Sequence, residues 1–275
     1  MDQSAKRDLA LKAAQVRLNI LEAVHAAKSG HPGGSLSIAE VLTYLYYKEM
    51  NVDPANPAWA DRDRFVLSKG HTAPALYAVL AEKGFFPREE LKKLRQIDSF
   101  LQGHPDMKHT PGVDMTTGSL GLGISAACGM ALAAKIDGKD YRTYTILGDG
   151  ETEEGQVWEA AMFAAHYKLD NLCVIVDWNG LQIDGPIAEV MNPAPHDKKF
   201  EAFGFHVISI NAHDFDQIEA ALAEARTVKG KPTAIILTSV KGKGVSFMEN
   251  QVSWHGAAPS DEQYEQAVAE IKATM

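Results

Sequence analysis

The sequence predicts an α/β fold in which a mainly parallel sheet carries helices on both faces. Three observations lead there: five short β-rich runs read as buried strands, helical runs alternate with them, and no internal repeat or long Ser/Pro/Gly linker divides the chain. Folds of this class bind ligands at the carboxyl ends of their strands. At 275 residues the length suits one large domain or two small ones.

The elements follow in order. Residues 5–29 place Leu9, Ala13, Val16, Ile20 and Val24 at helical spacing, and the run meets Ser29-Gly30-His31-Pro32-Gly33-Gly34, where a helix must stop. A second helix is expected over residues 37–50. The strand candidates are residues 64–68, 141–147, 172–178, 206–210 and 233–240, with helical stretches at 74–83, 124–135, 154–168 and 216–227 between them. Residues 262–275 read as a terminal helix. The loops 56–63 and 186–199 are candidate lids. Residues 115–134 carry no charge, but small residues dominate them, so a buried helix fed by a glycine-rich loop is expected there and not a membrane span.

Composition narrows the function. Hydrophobic residues at 45% and charged residues at 23% are ordinary for a folded globular protein. Thirty-six acids against 27 bases give a formal charge of -9 with no dense basic block, which argues against nucleic acid and anionic membrane surfaces as partners. Cys128 and Cys173 lie in apolar surroundings and read as reduced core thiols, pointing to a cytoplasmic location. The opening residues, MDQSAKRDLALKAAQ, hold no apolar segment with a cleavage site, so no secretion signal is read there.

The chemistry concentrates at predicted strand ends. The apolar run Tyr144-Thr145-Ile146-Leu147 ends in Gly148-Asp149-Gly150, where an acid meets glycines that let backbone approach a phosphate ahead of a helix. The next strand ends at Asn179 with Leu181 beyond, and a right-handed crossover puts both ends on one edge of the sheet. A carboxylate, an amide oxygen and a loop carbonyl are hard donors that suit Mg²⁺ bridging diphosphate oxygens. Gly-Asp-Gly alone reads equally well as an acidic turn followed by an Asx-turn. Residues 118–123, Gly-Ser-Leu-Gly-Leu-Gly, present backbone N–H groups of the kind that meet phosphate or a heterocycle. Neither G-x-G-x-x-G nor G-x-x-x-x-G-K-[ST] occurs. Of the ten histidines, His31, His71, His104 and His255 sit beside glycine in loops, poised for ligand contact or proton transfer. Any one alone would more often be a surface or capping residue, and they lack zinc spacing. Lys241-Gly242-Lys243-Gly244 follows a strand and reads either as a phosphate contact or as a solvated turn. His25, His166 and His206 fall within predicted helix or strand and are assigned to packing or surface.

Taken in chain order, these motifs resemble the thiamine diphosphate enzymes, specifically the N-terminal, diphosphate-binding domain of transketolase. The series is Ser29-Gly-His-Pro-Gly, Ser68-Lys-Gly-His71, Gly103-His-Pro, Thr116-Thr-Gly-Ser-Leu-Gly, Gly148-Asp-Gly with Asn179, Lys241-Gly-Lys-Gly and Trp254-His255-Gly. The resemblance implies thiamine diphosphate with Mg²⁺, or Ca²⁺ or Mn²⁺ in its place, the metal held by Asp149, Asn179 and the Leu181 carbonyl. It sets Gly150, His71, Lys241 and His255 against the diphosphate, and Gly118, Ser119 and Leu120 against the aminopyrimidine. His31, His104 and His255 would contact the sugar, with His31 and His255 hydrogen bonding the donor hydroxyl and carbonyl. Glu154 would lie at a subunit contact near the cofactor. Two departures affect loop details: Ser119 stands where many members have Pro, and Trp178 precedes Asn179 where another polar residue is common.

The resemblance further implies that residues 1–275 form a single diphosphate-binding domain, with the pyrimidine-binding and C-terminal domains absent. Met1 at the start and the terminal helix favour a natural split subunit over a fragment. The expected activity is transfer of a two-carbon ketol unit from a ketose phosphate to an aldose phosphate. A C-terminal transketolase subunit is the expected partner, in an assembly with two copies of each chain. Apolar faces around residues 120–130 and 156–163 would then be partly interfacial. A component of a deoxyxylulose-phosphate synthase or 2-oxoacid dehydrogenase is the alternative, as is a non-catalytic diphosphate-binding subunit. The loop histidines favour sugar hydroxyls over a plain oxoacid.

Overall fold

The computed structural model describes residues 1–275. The first half contains α1 (Gln3–Ala27), α2 (Pro32–Leu36), α3 (Ala39–Tyr44), β1 (Arg64–Leu67), α4 (Ala73–Lys83), α5 (Leu122–Ile136), β2 (Thr143–Gly148) and α6 (Gly155–His166). There follow β3 (Leu172–Trp178), β4 (Leu181–Gln182), β5 (Gly185–Pro186), α7 (Ile187–Val190), α8 (His196–Ala202), β6 (His206–Asn211), α9 (Phe215–Thr227), β7 (Thr233–Thr238) and α10 (Asp261–Lys272). The main sheet has the order β1-β2-β3-β7-β6 with every pair parallel, and β4 and β5 form a separate antiparallel pair. All five predicted strands are present and no others enter the main sheet.

Strand residues alternate between two cores, as the period of two requires. Tyr144, Ile146, Cys173, Ile175, Ile235 and Leu237 point into a large core with α1, α3, α4, α9 and α10. Leu147, Leu172, Val174, Val176, Ala234 and Ile236 point into a smaller one with α5, α6 and α8. Both cysteines are buried and free, and burial pushes each thiol up to about 12. No helix is long and apolar enough to cross a membrane.

Several expectations are corrected. The first helix stops as expected, at Ala27 ahead of residues 29–34, but the single helix over 37–50 is instead α3 followed by a π-helical turn at Leu45–Glu49, with the short α2 before it. Pro32 opens α2 at its first turn, where a missing N–H costs nothing. Gly33 also serves close approach, since a Cβ there would stand 2.8 Å from the Trp254 carbonyl oxygen. Loop 56–63 is no lid: it precedes β1 at the amino end of the sheet, and Asp63 ties that end together by accepting from the Asn51 and Arg142 N–H groups, both at 2.7 Å. Segment 186–199 forms α7 and the start of α8; Ile187, Pro193 and His196 are buried, His196 standing 3.1 Å from Thr152 Oγ1, while residues 188–192 between them are exposed. Helix α5, uncharged up to Lys135 in its last turn, buries only one face: Leu122 is 52% exposed, and on neighbouring α6 Met162 and Phe163 are 59% and 37% exposed.

Candidate active site

Parallel register carries the carboxyl ends of β2, β3 and β7 to one edge, with Gly148 beside Asp177 and Trp178 beside Thr238. Asp149, Asn179 and Lys241 leave the sheet there. Asp149 is buried; its Oδ1 accepts from the Gly150 N–H at 2.9 Å and its Oδ2 from the Gly180 N–H at 2.6 Å. Burial, reinforced by the nearby Asp177 carboxylate, raises its carboxyl to about 6. Asn179 gives its Nδ2 to Asp177 Oδ2 at 3.0 Å, which fixes the amide, and its Oδ1 accepts from the Leu181 N–H at 3.2 Å.

This donor set fits a hard divalent cation. It offers a buried carboxylate destabilised by burial and by a second acid, a neutral amide oxygen, and the Leu181 carbonyl. The Lys241 ammonium already stands 2.9 Å from that carbonyl, so positive charge is accommodated at this spot. No group of three His, Cys, Asp or Glu side chains in the chain has the arrangement of a metal centre, and here the carboxylate is joined by an amide and a carbonyl oxygen.

Above the strand ends lies a cleft of about 280 Å³ whose walls include His31, His71, His255, Lys241, Asp149 and Asn179. Three imidazoles pack on one another there: His71 and His255 are stacked at 5.3 Å, and His31 stands edge-on to them at 5.1 and 5.5 Å. Burial, with neighbouring cations adding to it, lowers His31 to about 4, His71 to about 2 and His255 to about 3. All three are neutral at pH 7, each with one ring nitrogen to donate and one to accept. The Lys241 Nζ is 2.9 Å from His255 Nδ1, and burial lowers its ammonium to about 8. His31 Nδ1 is buried with no hydrogen-bond partner.

Of the residues expected from sequence, Gly118, Leu120, Gly150 and Leu181 also line the cleft, whereas Ser119, Glu154 and His104 stand outside it. Gly118 has φ of +154°, a conformation that favours glycine, and the His104 ring lies 3.3 Å from where its Cβ would be. The Ser119 carbonyl accepts from the Leu122 N–H at the start of α5. Glu154 is exposed at the rim beside Gly121.

The sequence reading missed the groups that hold these residues. Asp177, fully buried, accepts from Lys69 Nζ at 2.6 Å, from Ser37 at 2.7 Å, and from Ser239 and Asn179. Glu151 accepts from Ser68, from the Gly121 N–H at 2.9 Å and from the Gly148 N–H at 3.0 Å, pinning the 118–123 loop to the end of β2. Signals existed: an acid inside the apolar run 172–178 is costly unless paired, and Lys69 stands within Ser-Lys-Gly-His.

Comparison with known proteins agrees. The family described as Transketolase, thiamine diphosphate binding domain, matches residues 9–273. The 6-deoxy-6-sulfo-D-fructose transketolase subunit SqwG of Clostridium sp. (strain MSTE9) is 49% identical, over 96% of this chain and 96% of its own length. An apulose-4-phosphate transketolase subunit from Phocaeicola vulgatus is 45% identical, over 96% and 93%. The crystal structure of transketolase from Campylobacter jejuni superposes with a TM-score of 0.92 at 36% identity, covering 99% of this chain but 43% of that one. The chain thus spans nearly all of the two relatives named as subunits and less than half of the transketolase whose structure it matches.

Proposed function

The chain belongs to the transketolase family as its thiamine diphosphate-binding domain, and from that membership we propose that it is one subunit of a two-chain transketolase. The reaction is transfer of a two-carbon ketol unit from a ketose to an aldose, each with an anionic terminus. The relatives' names span a sulfonated fructose and apulose 4-phosphate, so the ketose differs among close relatives. The observation that carries the reading is the meeting in one cleft of three neutral histidines and Lys241 with the hard-oxygen pair Asp149 and Asn179.

Thiamine diphosphate, when bound, supplies the nucleophilic carbon and electron sink that two-carbon transfer requires. Asp149, Asn179 and the Leu181 carbonyl would hold Mg²⁺, or Ca²⁺ or Mn²⁺ in its place. His71, Lys241, His255 and the Gly150 backbone would face the diphosphate, where a buried ammonium and glycine N–H groups favour an anion. The backbone of residues 118–120 would border the aminopyrimidine, with Glu151 beneath it as the anchor. His31, His104 and His255 would hold sugar hydroxyls. A neutral imidazole is suited to this, because it donates at one nitrogen, accepts at the other and passes a proton between them. Glu154, exposed at the rim, would meet a neighbouring subunit. The bare faces of α5 and α6 would be covered in an assembly with two copies of each chain. The two buried free thiols fit a cytoplasmic enzyme.

The test is calorimetric titration of the assembled protein with thiamine diphosphate in the presence of Mg²⁺. Metal-dependent binding is expected, and Asp149→Ala should abolish it. Unchanged cofactor affinity in that variant would remove Asp149 from the site.

A further inference from the structure

The loop that carries Lys241 is held from beneath by three polar side chains drawn from distant parts of the chain. Arg17 on α1 sets Nη2 against both Glu40 oxygens, at 2.7 and 2.6 Å, and donates from Nε to the Lys243 carbonyl at 2.9 Å. His213, in the turn between β6 and α9, completes the set: its Nδ1 is 3.1 Å from Glu40 Oε2 and its Nε2 accepts from the Val240 N–H at 3.0 Å. A ring nitrogen that receives an N–H is unprotonated, so Nδ1 carries the proton and donates it to Glu40. Arg17 and Glu40 are buried, where hydrogen-bond geometry is not averaged by competing water.

The two backbone groups gripped in this way, the Val240 N–H and the Lys243 carbonyl, flank Lys241 on either side. The Asn250 N–H donates to the Lys241 carbonyl and the Gly242 N–H to the Gly33 carbonyl, both at 2.9 Å. A four-carbon side chain aims its ammonium reproducibly only when its backbone is fixed.

We infer that His213, backed by Glu40 and Arg17, is a positioning residue that sets where the Lys241 ammonium meets the diphosphate. None of the three lines the cleft, so they act through the loop and not by contact. The inference rests on the diphosphate reading of Lys241 given above.

Two substitutions separate aiming from mere packing. In His213→Gln the side-chain oxygen takes the place of Nε2 and still accepts from Val240. His213→Asn is too short to reach it and keeps only a group near Glu40. Calorimetry of thiamine diphosphate binding with Mg²⁺ on the assembled enzyme should show affinity falling about tenfold or more in His213→Asn, the range typical of groups that orient ligands. His213→Gln should keep most of the affinity. Wild-type affinity in the Asn variant, or equal losses in both variants at equal melting temperature, would overturn the inference. Amide hydrogen exchange at Val240 in the wild-type protein without cofactor is the companion measurement. Slow exchange supports the clamp, and exchange as fast as an open loop refutes it even where a variant fails to fold. Failure of the wild type to bind the cofactor would instead sink the proposed function, leaving the exchange result to judge the clamp.

Discussion

Lys69 and Asp177 form an ion pair 2.6 Å long in which the side chains are 2% and 0% exposed. Burial alone would raise the Asp177 carboxyl, but the ammonium beside it outweighs that and holds it below the usual carboxylate range. The pair occupies the hinge of the site: Lys69 reaches it from the turn after β1, Asp177 from the end of β3, and the same carboxylate steers the Asn179 amide.

Removing one member leaves the other charged and dry. Asp177→Ala is expected to destabilise the fold by about 3–5 kcal/mol, because an unpaired buried ammonium remains. Replacing both residues together by apolar ones of similar volume should recover most of that loss while still disorienting Asn179. Denaturant midpoints of the single and double variants check this; a single variant costing under about 1 kcal/mol, the range of exposed pairs, would contradict it.

His31→Ala and His104→Ala should raise the KM for the donor sugar or lower kcat, by about 10²-fold if a proton transfer is lost, with cofactor affinity retained. His31 stands in the cleft with an unpartnered buried nitrogen, and His104 packs against Gly118 at its edge. Steady-state kinetics paired with cofactor titration reads both quantities. Loss of cofactor with otherwise normal sugar kinetics would place these residues on the wrong ligand.

Glu40 predicts an acid limb in stability. Burial alone would raise its carboxyl, but Arg17 and His213 override that and lower it from 4.5 to about 2. A depressed native value means that stabilisation is complete above pH 4.5 and lost as pH falls toward 2. The contribution at stake is about 3 kcal/mol. Urea midpoints measured across this window should fall more steeply in the wild type than in Glu40→Gln. Parallel curves would show that Glu40 does not titrate differently in the native state.

What the sequence discloses and what it hides divides along chain distance. The central strands β2, β3 and β7 are legible because a strand buried on both faces is largely apolar, the edge strand β6 by its β-branched Val207, Ile208 and Ile210, and Gly148-Asp149-Gly150, Asn179 and the loop histidines because glycine marks where backbone nears a ligand. Lys69, Asp177, Glu40 and His213 acquire meaning only once remote segments meet, since their partners are Ser37, Ser239, Arg17 and Val240. The same limit applies to α2: the glycines after Ser29 mark the end of α1, but that Gly33 lies against Trp254, far along the chain, shows only in the fold.

The final expectation is that this chain, freed of any partner, performs no ketol transfer. The cleft supplies histidines, a lysine and hard oxygens at the diphosphate end, while beyond them this chain contributes Gly118 and Leu120 of the glycine-rich loop, with Gln182 and Ile183. Leu122 at the start of α5 and Met162 and Phe163 further along the neighbouring α6 are exposed, and large exposed apolar side chains on adjoining helices mark an interaction surface. A charge such as Phe163→Asp should therefore dissociate the assembly and lower cofactor affinity together, without lowering the melting temperature of the isolated chain, because Phe163 faces outward from α6. Light scattering, cofactor titration and a coupled assay of ketol transfer, with and without the second polypeptide, supply the readouts. Turnover by the isolated chain at ordinary enzymatic rates, about 1–10³ s⁻¹, would show that it holds complete proton-transfer machinery, and the two-chain reading would have to be given up.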